Sequence, residues 1–185
     1  MSMYRRIGAA VLLSGIVTAA QAGTITRDDQ YPLYSPSLVN YVAAKGSFPA
    51  VIVNNPFPGP DGGKALLHNL KLPGFFTSAS FVETTPEARK DGHLVLLFDS
   101  AKAYPGSRAV CEAPQDFANA KPEGTLRLQA VFCYNKEPIS EAYLTTPRPA
   151  SPDDPGFRQS LAQLMSSLLP PRIPDGEQCQ TPPNC

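Results

Sequence analysis

His68 and His93 are the chain's two histidines, and with carboxylates such as Asp91 and Asp99 they are the groups able to do acid–base or zinc chemistry. That chemistry needs the imidazoles to converge on a carboxylate, and nothing in their spacing requires it. His68 lies among leucines on a predicted helix and His93 opens a predicted strand, so both are expected at surface or rim positions. No serine occupies a Gly-x-Ser-x-Gly elbow in the body of the chain. Gly59-Pro60-Asp61-Gly62-Gly63-Lys64 stands between a strand and a helix, where a phosphate-cradling loop would stand. Pro58 and Ala65, however, occupy the positions where that motif needs a glycine and a hydroxyl. It reads as a turn and a helix start that exposes N–H groups. Asp28-Asp29 and Asp153-Asp154 are adjacent acidic pairs, the first in a segment expected to be mobile and the second at a helix cap.

Cys111, Cys133, Cys179 and Cys185 are even in number, as in a disulfide framework. Three pairings exist, and pairing within each local set, Cys111 with Cys133 and Cys179 with Cys185, is the simplest. No close Cys-x-x-Cys offers a redox dithiol or zinc clamp, so the expected role is structural, with no metal and no cofactor.

An oxidising compartment agrees with the first 22 residues. Arg5 and Arg6 precede an apolar run over 7–17, and Ala20-Gln21-Ala22 supplies small residues for cleavage. The run is too short to span a bilayer and reads as a removable leader, with cleavage at Ala22 and a mature protein starting at Gly23. Positions 18–26 hold no lipoprotein cysteine, and the flanks of Arg5-Arg6 favour general over twin-arginine export. The expected location is periplasmic or secreted, with no integral membrane segment after cleavage. Losing Arg5 and Arg6 takes the 16 basic residues to 14 against 16 acidic ones. With its Lys and Arg scattered singly, the chain has no basic stripe for nucleic acid.

The elements that must position these groups are legible in outline. Ser35-Pro36 starts a short helix ended by Gly46. Residues 48–53 form a β-branched buried strand, 64–72 a helix, 75–83 a second strand and 93–98 an apolar central strand. The stretch 108–113 admits a strand or a short helix. Residues 125–134 alternate, with Leu126, Leu128, Ala130, Phe132 and Tyr134 on one face and Arg127, Gln129, Val131 and Cys133 on the other. Residues 139–145 return as a hairpin partner. Asp154-Pro155 caps a helix whose Phe157, Leu161, Leu164 and Leu168 make an apolar stripe. The 21 prolines stiffen the connections. This order predicts a disulfide-stabilised two-layer α+β domain over 23–169, a mostly antiparallel sheet of about five strands with helices packed on it. A Pro- and Cys-rich tail covers 170–185.

Asn54-Asn55-Pro56-Phe57, the apolar strand at 94–98, the Cys111 and Cys133 pair and Ile139-Ser140-Glu141 together resemble exported, periplasmic proteins of Gram-negative bacteria to which no activity is attached. The resemblance spans about residues 48–170 and implies an envelope location. Tyr31, Tyr34 and Tyr41 near the mature N-terminus, with Phe57, Phe75 and Phe76 beside later loops, are the residues expected to line a groove for a peptide, glycan or partner surface. Two functions are therefore carried forward. One is a non-catalytic envelope module binding a partner protein or small ligand through loops or a sheet edge. The other is a periplasmic hydrolase using His68 or His93.

Overall fold

The computed structural model describes residues 23–57, 59–85 and 91–172. The expected leader over 1–22 and its cleavage point, and the expected Cys179–Cys185 pair, lie outside the described residues. In chain order the elements are β1 (Thr24–Gln30), α1 (Pro36–Ala43), β2 (Ser47–Val53), α2 (Gly62–Asn69), β3 (Ser80–Glu83), β4 (Gly92–Phe98), α3 (Ser107–Glu112), β5 (Thr125–Tyr134), β6 (Glu137–Pro147) and α4 (Pro155–Leu168). The strands form one six-stranded sheet of order β1-β6-β5-β4-β2-β3.

Local chemistry starts the helices where the sequence places them. The Ser35 side chain accepts from the Ser37 amide, with Pro36 first in α1. Asp154 likewise accepts from the Phe157 amide at 3.0 Å, with Pro155 first in α4. Such caps contribute about 1 kcal/mol each. Phe157, Leu161, Leu164 and Leu168 of α4 pack beside Val39 and Val42 of α1 and Leu66 and Leu67 of α2. All three helices bury these residues on the sheet face that carries Phe48, Leu94, Leu96, Phe98, Leu128 and Phe132.

The α+β class and mostly antiparallel sheet hold, and four particulars differ from expectation. A sixth strand, β1, pairs antiparallel with β6, so Asp28 and Asp29 are held in an edge strand, opposite Ala142 and Glu141, and are not a mobile segment. Its polar sequence hid it, because an edge strand needs few apolar residues. Secondly, β2 runs parallel to both β3 and β4, since the crossover through α2 returns the chain in the same direction. Thirdly, residues 108–113 take the helical of their two readings, as α3, and this helix covers the face of the sheet that the half-buried reading of 125–134 left open. Val110 and Cys111 of α3 cover Val51, Val95, Leu97, Val131 and Cys133 there. The 128–133 part of β5 is consequently buried on both faces, not half-buried. Finally, the strand expected over 75–83 is formed only at 80–83, after a turn through Phe75 and Phe76.

The Cys111–Cys133 disulfide is formed and ties α3 to β5. Among the described residues no helix is long and apolar enough to cross a membrane.

Candidate functional site

Register on the α3 side of the sheet gathers polar groups that are scattered in sequence. Arg27 of β1 lies opposite Tyr143 of β6, which lies opposite Gln129 of β5. One pleat along, Asp29 faces Glu141, and Glu141 faces Val131. Period-two alternation therefore puts Arg27, Asp29, Gln129, Glu141 and Tyr143 on one face. The disulfide holds α3 over this row, with Ser107 at the helix start.

The Ser107 hydroxyl donates to Glu141 Oε2. The Tyr31 and Ser107 hydroxyl oxygens lie 2.9 Å apart. Gln129 Nε2 donates to Tyr143 Oη at 2.6 Å, to the Pro105 carbonyl at 3.1 Å and towards Glu141 Oε2 at 3.3 Å. The Tyr143 hydroxyl donates a hydrogen bond to the Pro105 carbonyl at 3.1 Å. Arg27 approaches Glu141 Oε1 to 3.4 Å from the solvent side. Glu141 is 2 % exposed and Gln129 4 % exposed. Burial pushes the Tyr143 phenol well above its ordinary value and also raises Tyr31, with the Glu141 charge adding to both. These hydroxyls keep their protons and serve as donors, which suits a network that fastens α3 and positions the adjoining loop.

The sequence-predicted groups are not brought together. His68 is exposed on α2, on one side of the sheet. His93 of β4 pairs with Cys133 on the side that α3 covers, and its Nδ1 lies 3.0 Å from the Asp91 carbonyl. It is buried, not at a rim, because β4 is covered on both faces. Asp91 forms an ion pair with Lys45 at 2.6 Å, and Asp99 forms one with Arg148 at 2.6 Å while accepting from the Arg127 amide. Both carboxylates serve the frame. Among the described residues there is no cluster of three or more His, Cys, Asp or Glu placed to hold a metal.

The expected aromatic groove is dispersed too. Tyr34 is buried and its hydroxyl donates to the Pro170 carbonyl. Phe57 packs on Phe157, with ring centroids 5.6 Å apart, and Phe76 is buried beside Phe75. Tyr31 reaches to Ser107 on the opposite side of the sheet. Phe75, 52 % exposed, and Tyr41, 55 % exposed beneath the Lys45 ammonium, present large surfaces, while Tyr34, Phe57 and Phe76 pack onto the core.

What the structure does open is the β3 margin. Among the described residues strand β3 pairs with β2 alone, and the Ser80 and Thr84 amides donate to β2-side carbonyls, Gly46 and Ala50. By alternation the backbone N–H and C=O groups of Phe81 and Glu83 point away from β2, towards the open side. Beside them lies a groove of about 420 Å³ between α2 and β3, lined by Lys64 and His68 from the helix, Lys71 just after it, and Val82 and Glu83 from the strand. Val82 is 41 % exposed. The sequence signal for this surface is thin: a four-residue strand after a basic helix. The network residues carry a clearer signal, a Gln and a Glu at inward positions of apolar strands.

No protein-family model matches the chain, and no curated protein matches it. Among solved structures it is similar to the PelC dodecamer from Paraburkholderia phytofirmans at 14 % identity, over 80 % of this chain and 98 % of that one, with a TM-score of 0.40. A single-substitution variant of that PelC is similar at 14 % identity with a TM-score of 0.38, over 80 % of this chain and 97 % of that one.

Proposed function

We propose that this protein is a non-catalytic binding module of the bacterial envelope, which takes an extended segment of a partner protein along the free edge of β3. The observation that carries the reading is the outward backbone of Phe81 and Glu83 beside the open groove. Strand addition supplies main-chain hydrogen bonds, while pockets for alternate side chains supply selectivity. With Lys64, His68 and Lys71 set against Glu83, the groove favours acidic side chains on the incoming strand.

The other sheet margin is built differently. Along β1 the register shifts between Ile25 and Arg27, and Arg27 pairs with Asp29 at 2.6 Å. A bulge and charges discourage strand pairing. The two margins thus differ in kind, which supports a docking role for β3 in particular. The leader-like pattern of residues 1–22, an arginine pair, a short apolar run and Ala-Gln-Ala, and the formed Cys111–Cys133 bridge support a reading of export to an oxidising compartment.

Site-specific photocrosslinking in an exporting bacterium tests this reading. A photoreactive residue at Val82 or Lys71 is expected to give a discrete adduct, and one at Arg158, on the exposed side of α4, none. Equal labelling at all three positions, or none at any, would overturn it.

A further inference from the structure

We infer that the cavity beneath the 101–106 loop is a second binding site, one that takes a small carboxylate carrying a neighbouring hydroxyl or amine. It lies on the α3 side of the sheet and does not depend on the β3 reading. The cavity measures about 70 Å³. A cavity of this size suits a molecule of a few heavy atoms, such as lactate or alanine.

Three features define what the cavity accepts. The first is an orphaned acceptor. Gln129 lines the cavity, and its Oε1 is buried without a hydrogen-bond partner. The orientation of this amide is fixed by its neighbours, because the Pro105 carbonyl and the Glu141 carboxylate both require a donor opposite them, which places Nε2 there. A buried acceptor left unmatched is costly, and a ligand O–H or N–H would recover that loss.

The second is positive charge. Lys102 and Arg127 line the cavity, and among the described residues no carboxylate lies within ion-pair distance of either. Arg127 instead directs one guanidinium nitrogen to the Ser100 carbonyl at 3.4 Å. A ligand carboxylate would supply the missing counter-charge. The third is shape: Tyr104 stands edge-on to Tyr143 with ring centroids 5.3 Å apart, giving the cavity an apolar wall. A donor at the Gln129 end and an anion at the Lys102 and Arg127 end, joined by a short carbon unit, describe a 2-hydroxy or 2-amino acid.

The test is an NMR titration of the purified, isotope-labelled protein with lactate, alanine and propionate, the last having the same carbon skeleton without the donor. Lactate or alanine is expected to move the amides of Lys102, Tyr104, Arg127 and Gln129 saturably, with affinity about tenfold above that of propionate. Gln129→Leu should erase this preference, and Lys102→Gln with Arg127→Gln should weaken all the acids while leaving the fold intact, since both residues are exposed. If Gln129→Leu fails to fold, the ranking of the three acids on the native protein still decides. Equal binding of the three, shifts elsewhere, or no saturation would overturn the inference.

Discussion

Ser107, at the start of α3, donates a hydrogen bond from its hydroxyl to Glu141 of β6, and one turn further along the same helix Cys111 is bonded to Cys133 of β5. A covalent tie and a charge-assisted hydrogen bond therefore hold a six-residue helix that is too short to be stable alone. The 101–106 loop over the Gln129 cavity leads into that helix, while Arg127, Gln129 and Tyr143 line the cavity from the sheet.

Replacing Ser107 by Ala should destabilise the protein by about 1–3 kcal/mol, because Glu141 would lose a buried donor. Ser107→Ala and Glu141→Gln combined should cost less than the two single changes together, as both act on one network. Chemical denaturation of the four proteins measures this. Strictly additive costs would separate the two residues energetically.

Loss of the Cys111–Cys133 bridge, by reduction or by Cys→Ala at both positions, should cost about 3 kcal/mol, the loop being 22 residues. It should act first on α3. Arg108, held by a paired contact to Glu137 at 2.6 and 2.7 Å, is the site to watch, and limited trypsinolysis should cut after Arg108 only in the reduced protein.

Stability should fall in alkali. Burial raises the folded-state values of Tyr34 and Tyr143 above the ordinary 10.0, and Tyr31 follows for the same reason. A group whose folded value is raised lends its stability in full below the unfolded value and loses it as pH climbs towards the folded one. The melting temperature should thus be insensitive to these tyrosines below about pH 9 and decline above about pH 10. Tyr143→Phe should make that decline shallower. An unchanged alkaline slope in Tyr143→Phe would mean that Tyr143 does not titrate with unfolding.

Close packing of α1 on β4 can be read from one glycine. A methyl group added at Gly92 would collide with Val42 and meet the ring of Phe132, whereas one at Gly74 would meet nothing. Gly92→Ala should destabilise by about 1–3 kcal/mol and Gly74→Ala by less than about 0.5 kcal/mol, measured by thermal melts.

Local chemistry made most of the elements legible. The caps at Ser35 and Asp154 placed α1 and α4, and the alternation of 125–134 assigned Gln129 and Cys133 to their common face before any tertiary information. Strand β1 was not legible, since its polar residues are explained only by pairing with β6. Nor was the direction of β2 against β4, which depends on how α2 crosses over. The polar network escaped for a related reason: Arg27, Ser107, Gln129 and Glu141 lie far apart in the chain and meet only through cross-strand register and a disulfide. The tyrosines and phenylalanines misled in the opposite direction, because clustering in sequence at Tyr31, Tyr34 and Phe57 sends side chains to different faces of the sheet.

The most direct measurement is residue-resolved amide hydrogen exchange of β3 with and without the partner segment recovered at Val82. Docking along the free edge predicts that the Phe81 and Glu83 amides slow markedly on binding, while the Val82 amide, already directed at β2, changes little. Protection confined to residues outside β3 and α2, with Phe81 and Glu83 exchanging as before, would contradict it.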